Sequence, residues 1–378
     1  MTNTMEFKTK TLLAAADHAK KIVSSSTSST IKQVPILSTI LLEASLSAGN
    51  IRLTATDLIN TYQNTLKCLP KPKNVVSTEA GAWSACVDAG AFTKILKAVK
   101  QDTVNLILST NNELNIITTK TTYKLPTMQA DKFPQVLKDV GPWLPVTSIN
   151  SEDLKKLELA ASSYDTNNIL SAINYNPCGR FTAVDGNILI IFNGEKSDRY
   201  DSELNMSSGI VKFLPAKTDF YIWTDKNLTR LSNGDEHFYT KNLEGQFPRY
   251  MQLIPQHNDD VMSISSKDLA DALKEVEITL NPKTSIVRFN FDKDNQSIYL
   301  ISDTPEVGET KTRIKTINTN INGLKYDEIA FNHTYLKTFN KLGERINFIM
   351  DPASNLKCVK LTFNNKYTGL IMPIRIRK

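Results

Sequence analysis

No stretch of the 378-residue chain strings together about eighteen apolar residues, the length a membrane-spanning helix requires. The opening "MTNTMEFKTKTLLAAADHAKK" has no basic region leading into a long apolar core, so it does not read as a secretion signal. A cytoplasmic protein is expected. Cysteine is scarce. Cys68, Cys86, Cys178 and Cys358 are scattered without a C-x-x-C pair, which argues against a zinc site and a redox dithiol and reads as isolated core or surface thiols. The four histidines, His18, His237, His257 and His333, form no H-x-x-x-H or H-E-x-x-H arrangement. Phosphate-cradling G-x-x-x-x-G-K-[ST], dinucleotide-binding G-x-G-x-x-G and the nucleophile elbow G-x-S-x-G are missing as well. These gaps leave an enzyme reading without a motif, and neither catalytic residue, metal nor cofactor is expected.

What is present is globular. Hydrophobic residues make up 40% and charged residues 22% of the chain, and the length suits two to four domains. Lys plus Arg exceed Asp plus Glu by 6, a mild excess compatible with an acidic partner but not diagnostic of one.

The pattern repeats in thirds. "KTKTLLAAADHAKKIV" (8–23) places Leu12, Ala16, Ala19 and Val23 on one helical stripe. "NSEDLKKLELAASS" repeats the design near 150, with Ser151 as a candidate N-cap, Glu152 and Asp153 in the first turn, and Leu154, Leu157 and Ala161 inward. "SSKDLADALKEVEI" does so near 265, with Leu269, Leu273 and Val276 in register. Strand-like alternation follows each helix and ends in an aspartate: Asp57, Asp185 and Asp303, spaced by 128 and 118 residues. A shared turn role explains these better than a metal site, since Asp closes tight turns through its side chain. Second helices are expected at 88–101, 207–215 and 332–345, the middle one cut short by Pro215.

Two Phe-Pro pairs mark the ends of the first two copies. "ADKFPQVL" carries Phe133, and "EGQFPRYMQLIP" carries Phe247, 114 residues later. Linker-like segments follow at 138–150 and 255–263. A period this long signals duplicated domains rather than a solenoid. The expected architecture is α+β: domains at 1–137, 145–256 and 260–378, each with two helices against antiparallel sheets.

Four phrases in this order resemble the bacterial DNA polymerase III β sliding clamp family: "VPILSTILLEA…IRLTATDL", "AVDG", "EGQFPRY…LIP" and the ending "LIMPIRIRK". The resemblance covers essentially the whole chain. It implies a ring-shaped homodimer of three-domain chains, helices lining a pore around duplex DNA, and a non-catalytic processivity role. Implied partners are double-stranded DNA, the replicative polymerase, the clamp loader and other proteins with a clamp-binding motif. It also implies an apolar peptide pocket matched by Leu170, Asp185, Gly186, Leu189, Pro248, Leu253, Leu370, Met372, Pro373, Ile374 and Arg375, with Leu356 aligning more loosely. Phe247 itself reads as core.

Sequence-independent sliding calls for cations near phosphate and no base-reading module. Lys94, Lys97 and Lys100 recur opposite Phe92, Ile95, Leu96 and Val99; Lys337 and Lys341 stand four apart beside Leu336 and Phe339. Lys20, Lys155, Lys267 and Lys274 occupy polar positions of the leading helices. On spacing alone these lysines read as solvated faces; the resemblance implies that they face DNA. It also matches Tyr123, Leu125 and Ile278 to the dimer interface, with Ile278 as a core residue the alternative. The chain departs from the family in two places. Asn187 and Ile188 stand where a His-Arg pair is common, and Met251 and Gln252 where a basic residue is. These changes point to a shifted peptide preference, toward more apolar or less acidic motifs. They also motivate the rival reading of a diverged clamp-fold scaffold that no longer loads on DNA.

Overall fold

The computed structural model describes residues 4–23, 34–70, 81–138, 140–162, 168–256 and 261–376. The chain falls into two compact units, residues 1–151 with 209–242, and residues 152–208 with 243–378. Each mixes helices with antiparallel sheet. No helix among the described residues is long and apolar enough to cross a membrane.

The first unit is built on one twelve-stranded sheet. Its helices are α1 (Thr9–Val23) and α2 (Ala89–Ala98). In α1 the expected stripe of Leu12, Ala16, Ala19 and Val23 is buried, and small Ala15, Ala16 and Ala19 let a neighbouring backbone come close. Thr93 of α2 uses that closeness, its hydroxyl donating to the Ala89 carbonyl at 2.7 Å and lying 3.5 Å from the Ala16 carbonyl. Asp88 caps α2 by accepting from Ala91 N at 2.7 Å. The helix ends at Ala98, with Val99 already extended, earlier than the expected 101.

One joint holds the sheet across a long sequence gap. Strand Asn60–Lys67 of the first repeat pairs with strand Glu236–Lys241 of the second, with Thr61 opposite Tyr239. A polar knot lies beside it. The fully buried Tyr62 donates to Glu236 Oε1 at 2.7 Å, and His18 Nδ1 of α1 lies 2.6 Å from the same oxygen. Burial alone would raise the Glu236 carboxyl pKa. The hydrogen bonds from His18, Tyr62 and Asn233 outweigh it and hold the carboxyl below its ordinary value.

The second unit carries a nine-stranded and a four-stranded sheet with helices α3 (Ser151–Glu158), α4 (Ser266–Val276) and α5 (His333–Phe339). The joint recurs: strand Ile188–Asn193 of the second repeat pairs with strand Tyr367–Ile371 of the third, with Leu189 opposite Leu370. Ser265 caps α4 as expected, accepting from Asp268 N at 3.0 Å. Leu269, Leu273 and Val276 are buried beneath it. Phe339 of α5 lies against the backbone of Gly369, where a β-carbon would come within 2.4 Å of its ring. That position tolerates no side chain without a shift.

Several further expectations need correction. Residues 144–150, expected to lie in a linker, form strand Leu144–Asn150, paired with strand Asp219–Thr224. Ala161 lies past the end of α3 and is half-buried, while Ala160 is the buried residue. Ser151 is the first residue of α3, not its cap, and its hydroxyl accepts from Thr218 N at 3.1 Å. The segment 207–215 forms a 3-10 helix, Ser208–Phe213, rather than an α-helix. Asp303 makes no turn. Its strand, Ser297–Thr304, continues past it, so the carboxylate meets cross-strand Arg288 at 2.9 Å instead. Asp57 and Asp185 do close turns, each accepting two backbone N–H groups within three residues of itself.

Candidate functional site

The Leu189–Leu370 pairing brings distant segments of the second unit together. Directly opposite residues on adjacent strands share a face, so both leucines point the same way. They are 3% exposed and pack with Ala172, Ile191, Phe247 and Tyr250. Ile169, Val184, Leu243, Ile254 and Cys358 close the cluster from the sides. Phe247 is 5% exposed and meets Tyr250 edge to face at 6.2 Å, while the Thr182 hydroxyl donates to Tyr250 Oη at 2.9 Å. Phe247 is therefore core, as expected. Phe133 does the same in the first unit, buried with Ile36, Leu41 and Cys86.

Chain segments that leave this cluster carry a rim of exposed apolar residues. Leu253 is 55%, Met251 48%, Met372 42% and Leu356 40% exposed. Soluble surfaces scatter apolar residues singly; four on segments that leave one apolar cluster form a surface that a partner could cover. Two segments are held by hydrogen bonds. Tyr250–Leu253 is a 3-10 turn that lifts Leu253 outward while Tyr250 stays buried. Met372 N donates to the Asn187 carbonyl at 3.0 Å, which extends the strand ladder beyond Ile371.

The chain end then changes sheet. Pro373 has no N–H to give, and Ile374 N donates to the Ala330 carbonyl of the four-stranded sheet at 2.8 Å. Asp185 fixes the neighbouring hairpin, accepting from Asn187 and Ile188 N at 2.9 and 2.8 Å, with Gly186 at φ +97°. Leu170 is half-buried in the Ile169–Ser171 turn, Pro248 is half-buried, and Arg375 is exposed. Arg180 was not singled out from the sequence. Its Nη1 lies 3.4 Å from the Met251 sulfur, so a cation borders the rim although Met251 and Gln252 carry none. Only the pairing of its strand, Arg180–Val184, with Ile188–Asn193 brings it there, a contact no local motif announces.

The nine lysines differ in their surroundings. Lys97 meets Asp17 at 2.9 Å, Lys155 meets Glu152 at 3.0 Å, Lys274 meets Asp271 at 3.5 Å and Lys337 meets Glu277 at 2.7 Å. Lys94 on α2 and Lys267 on α4 are exposed and make no ion pair among the described residues. Lys20 is half-buried on α1. Lys100 and Lys341 lie past the ends of α2 and α5, because both helices stop sooner than their spacing suggested. Surface ion pairs are worth about 0–1 kcal/mol, so a phosphate can displace these carboxylates at small cost.

At the expected interface, Tyr123 is half-exposed and Ile278 is 76% exposed, which removes the core alternative for Ile278. Leu125 is 7% exposed, opposite Leu114 inside its own sheet, and has little surface to offer a second chain. No cluster of potential metal ligands occurs among the described residues.

Residues 4–137 match the DNA polymerase III beta subunit N-terminal domain, and residues 251–375 match the C-terminal domain of the same subunit. The beta sliding clamp of Synechococcus elongatus is 23% identical over 361 residues, covering 91% of this chain and 92% of that protein. The crystal structure of DNA polymerase III subunit beta from Pseudomonas aeruginosa superposes with a TM-score of 0.81 at 19% identity, covering 99% of this chain and all of that one. The Bacillus subtilis DNA polymerase sliding clamp gives a TM-score of 0.80 at 20% identity, with 99% of each chain covered.

Proposed function

The chain belongs to the DNA polymerase III beta subunit family, and from that membership we propose that it is a sliding clamp, a ring that encircles duplex DNA and tethers the replicative polymerase. The carrying observation is the match of both ends of the chain to one family, on a fold that superposes over its full length with solved clamps. The ring consists of two chains, each with three domains at 1–137, 145–256 and 260–378. Tyr123 of one chain and Ile278 of the other contribute to closure. The protein catalyses nothing; it raises processivity by topology, and it works in the cytoplasm beside the DNA.

Contact with DNA is by phosphate attraction alone. Lys94 and Lys267 offer charge directly, and Lys20, Lys97, Lys155, Lys274 and Lys337 exchange carboxylates for phosphates as the duplex passes. Lys100 and Lys341 add charge from the loops that follow α2 and α5. Many weak, equivalent contacts hold DNA near without fixing a register, which sliding requires.

The polymerase, the clamp loader and other clamp-motif proteins dock a peptide on the Leu189–Leu370 floor. Leu253, Met372 and Leu356 fold over its apolar side chains, Leu170, Pro248, Pro373 and Ile374 shape the walls, and Asp185 with Gly186 holds the hairpin beside them. Met adapts to varied ligands, which suits a site that serves several partners. Arg180 and Arg375 supply positive charge at the edge, so acidic residues in the peptide remain acceptable despite Met251 and Gln252.

Light scattering over a dilution series tests the ring. The reading predicts a stable mass of twice 42.3 kDa, falling to 42.3 kDa in Ile278→Asp, whose exposed position leaves the fold intact. A wild-type monomer at micromolar concentration contradicts it.

A further inference from the structure

The first unit carries a cavity at the position that corresponds, repeat to repeat, to the proposed peptide site. The correspondence follows from register. Asp57 and Asp185 close equivalent hairpins 128 residues apart, and each hairpin leads into a strand paired with the following repeat. Counting four residues on from each aspartate reaches Thr61 and Leu189. Thr61 stands opposite Tyr239, as Leu189 stands opposite Leu370. Phe133-Pro134 and Phe247-Pro248 then supply the same neighbouring segment in each half.

At that place lies a cavity of about 310 Å3 whose lining includes Leu58, Val136, Leu137, Leu228, Tyr239 and Lys241. A second cavity of about 290 Å3 shares Val136, Leu137 and Tyr239 with it and adds Trp143, Lys138 and the paired Arg52 and Glu43. Volumes of this order suit a small ligand or a few residues of peptide.

Leu58 is the telling residue. It adopts φ +75° where its counterpart Gly186 has φ +97°, and it is 40% exposed. A leucine in the left-handed region is strained, and here no burial compensates. Glycine would adopt this turn without strain, and the leucine places an apolar side chain in the cavity lining.

We propose that this cavity is a second peptide-docking site, which takes a short extended peptide with apolar side chains flanked by carboxylates. The choice of a peptide rests on the proposed role of the sister site. The choice of carboxylates rests on charge: Lys241 and Lys138 are exposed and make no ion pair among the described residues. The Glu43 carboxylate at the far cavity is already engaged by Arg52 at 2.9 and 3.0 Å. Tyr239 and Trp143, 5.7 Å apart, bring aromatic surface to the cavity walls, with the Arg230 guanidinium 4.8 Å over the Trp143 ring.

The test is calorimetric titration with an acetylated Glu-Leu-Phe-Leu-Glu peptide. Two peptides per chain are expected. Leu58→Gly and Lys241→Glu should each weaken one event about tenfold or more, while Met372→Glu removes only the other. Leu58→Gly should also melt no lower than wild type, since it relieves the turn, which separates loss of binding from loss of fold. Lys241→Glu alters an exposed side chain and keeps the test independent of that turn. One peptide per chain lost in Met372→Glu and untouched by the other two changes overturns the inference, as does no binding at all. One peptide per chain lost in Leu58→Gly and Lys241→Glu but kept in Met372→Glu upholds it and refutes the sister-site reading instead.

Discussion

Leu189 and Leu370 lie 181 residues apart in sequence and directly opposite each other on adjacent antiparallel strands, each 3% exposed. That pairing joins the middle repeat to the chain end and forms the floor of the proposed site, and the exposed Leu253 and Met372 lie on chain segments that leave the same buried cluster. Because floor and rim are separable, so are their mutational effects. Leu253→Glu and Met372→Glu should leave the melting temperature within a degree or two, as surface changes do, and weaken binding of a clamp-motif peptide by about 1–3 kcal/mol. Leu370→Ala should cost about 2–5 kcal/mol of stability through the cavity it leaves. Peptide titration beside thermal melts separates the two classes.

Glu236 predicts a pH dependence. Its folded carboxyl titrates below the unfolded value because hydrogen bonds to the charged form outweigh burial. A depressed carboxyl stabilises the fold above its unfolded pKa, about 4.3, and that contribution is lost as pH falls through the folded value. Glu236→Gln should therefore cost about 1–3 kcal/mol at pH 7, and the difference from wild type should shrink below about pH 4. Denaturant melts at pH 7, 5 and 3.5 measure it.

The cysteines should differ sharply in reactivity. Burial pushes the Cys86 and Cys358 thiols up to about 11, and thiolate is the reactive form. At pH 8 each is about one-thousandth ionised before access is considered. Cys178 is exposed. A thiol-reactive dye at pH 8 should label Cys178 quickly in the native protein and reach Cys86 and Cys358 only in denaturant. Equal rates for all of them would contradict the packing around Phe133 and Phe247.

Helical stripes and the Phe-Pro pairs were legible in the sequence because each depends on near neighbours. Leu12, Ala16, Leu269 and Leu273 recur at helical spacing and are buried; Phe133 and Phe247 close corresponding clusters. What was not legible depends on partners far along the chain. Helix α2 stops before Lys100 and α5 before Lys341, so spacing overran both. Asp303 resembles Asp57 and Asp185 in its flanking residues, yet its strand runs on and Arg288 takes the carboxylate. Leu125 sits in a polar-looking strand but faces Leu114. Arg180 reaches Met251 across 71 residues of sequence, and only the fold brings them together.

Encirclement of DNA is the central claim, and topology tests it most directly. The protein is assembled with its clamp loader on a nicked circular plasmid, washed at salt that strips ordinary phosphate-binding proteins, and followed before and after the plasmid is cut once. Retention on the circle and release on cutting are predicted, since the ring holds by closure and slides off a free end. Loss from the intact circle at high salt, or equal retention on circle and line, contradicts a sliding ring.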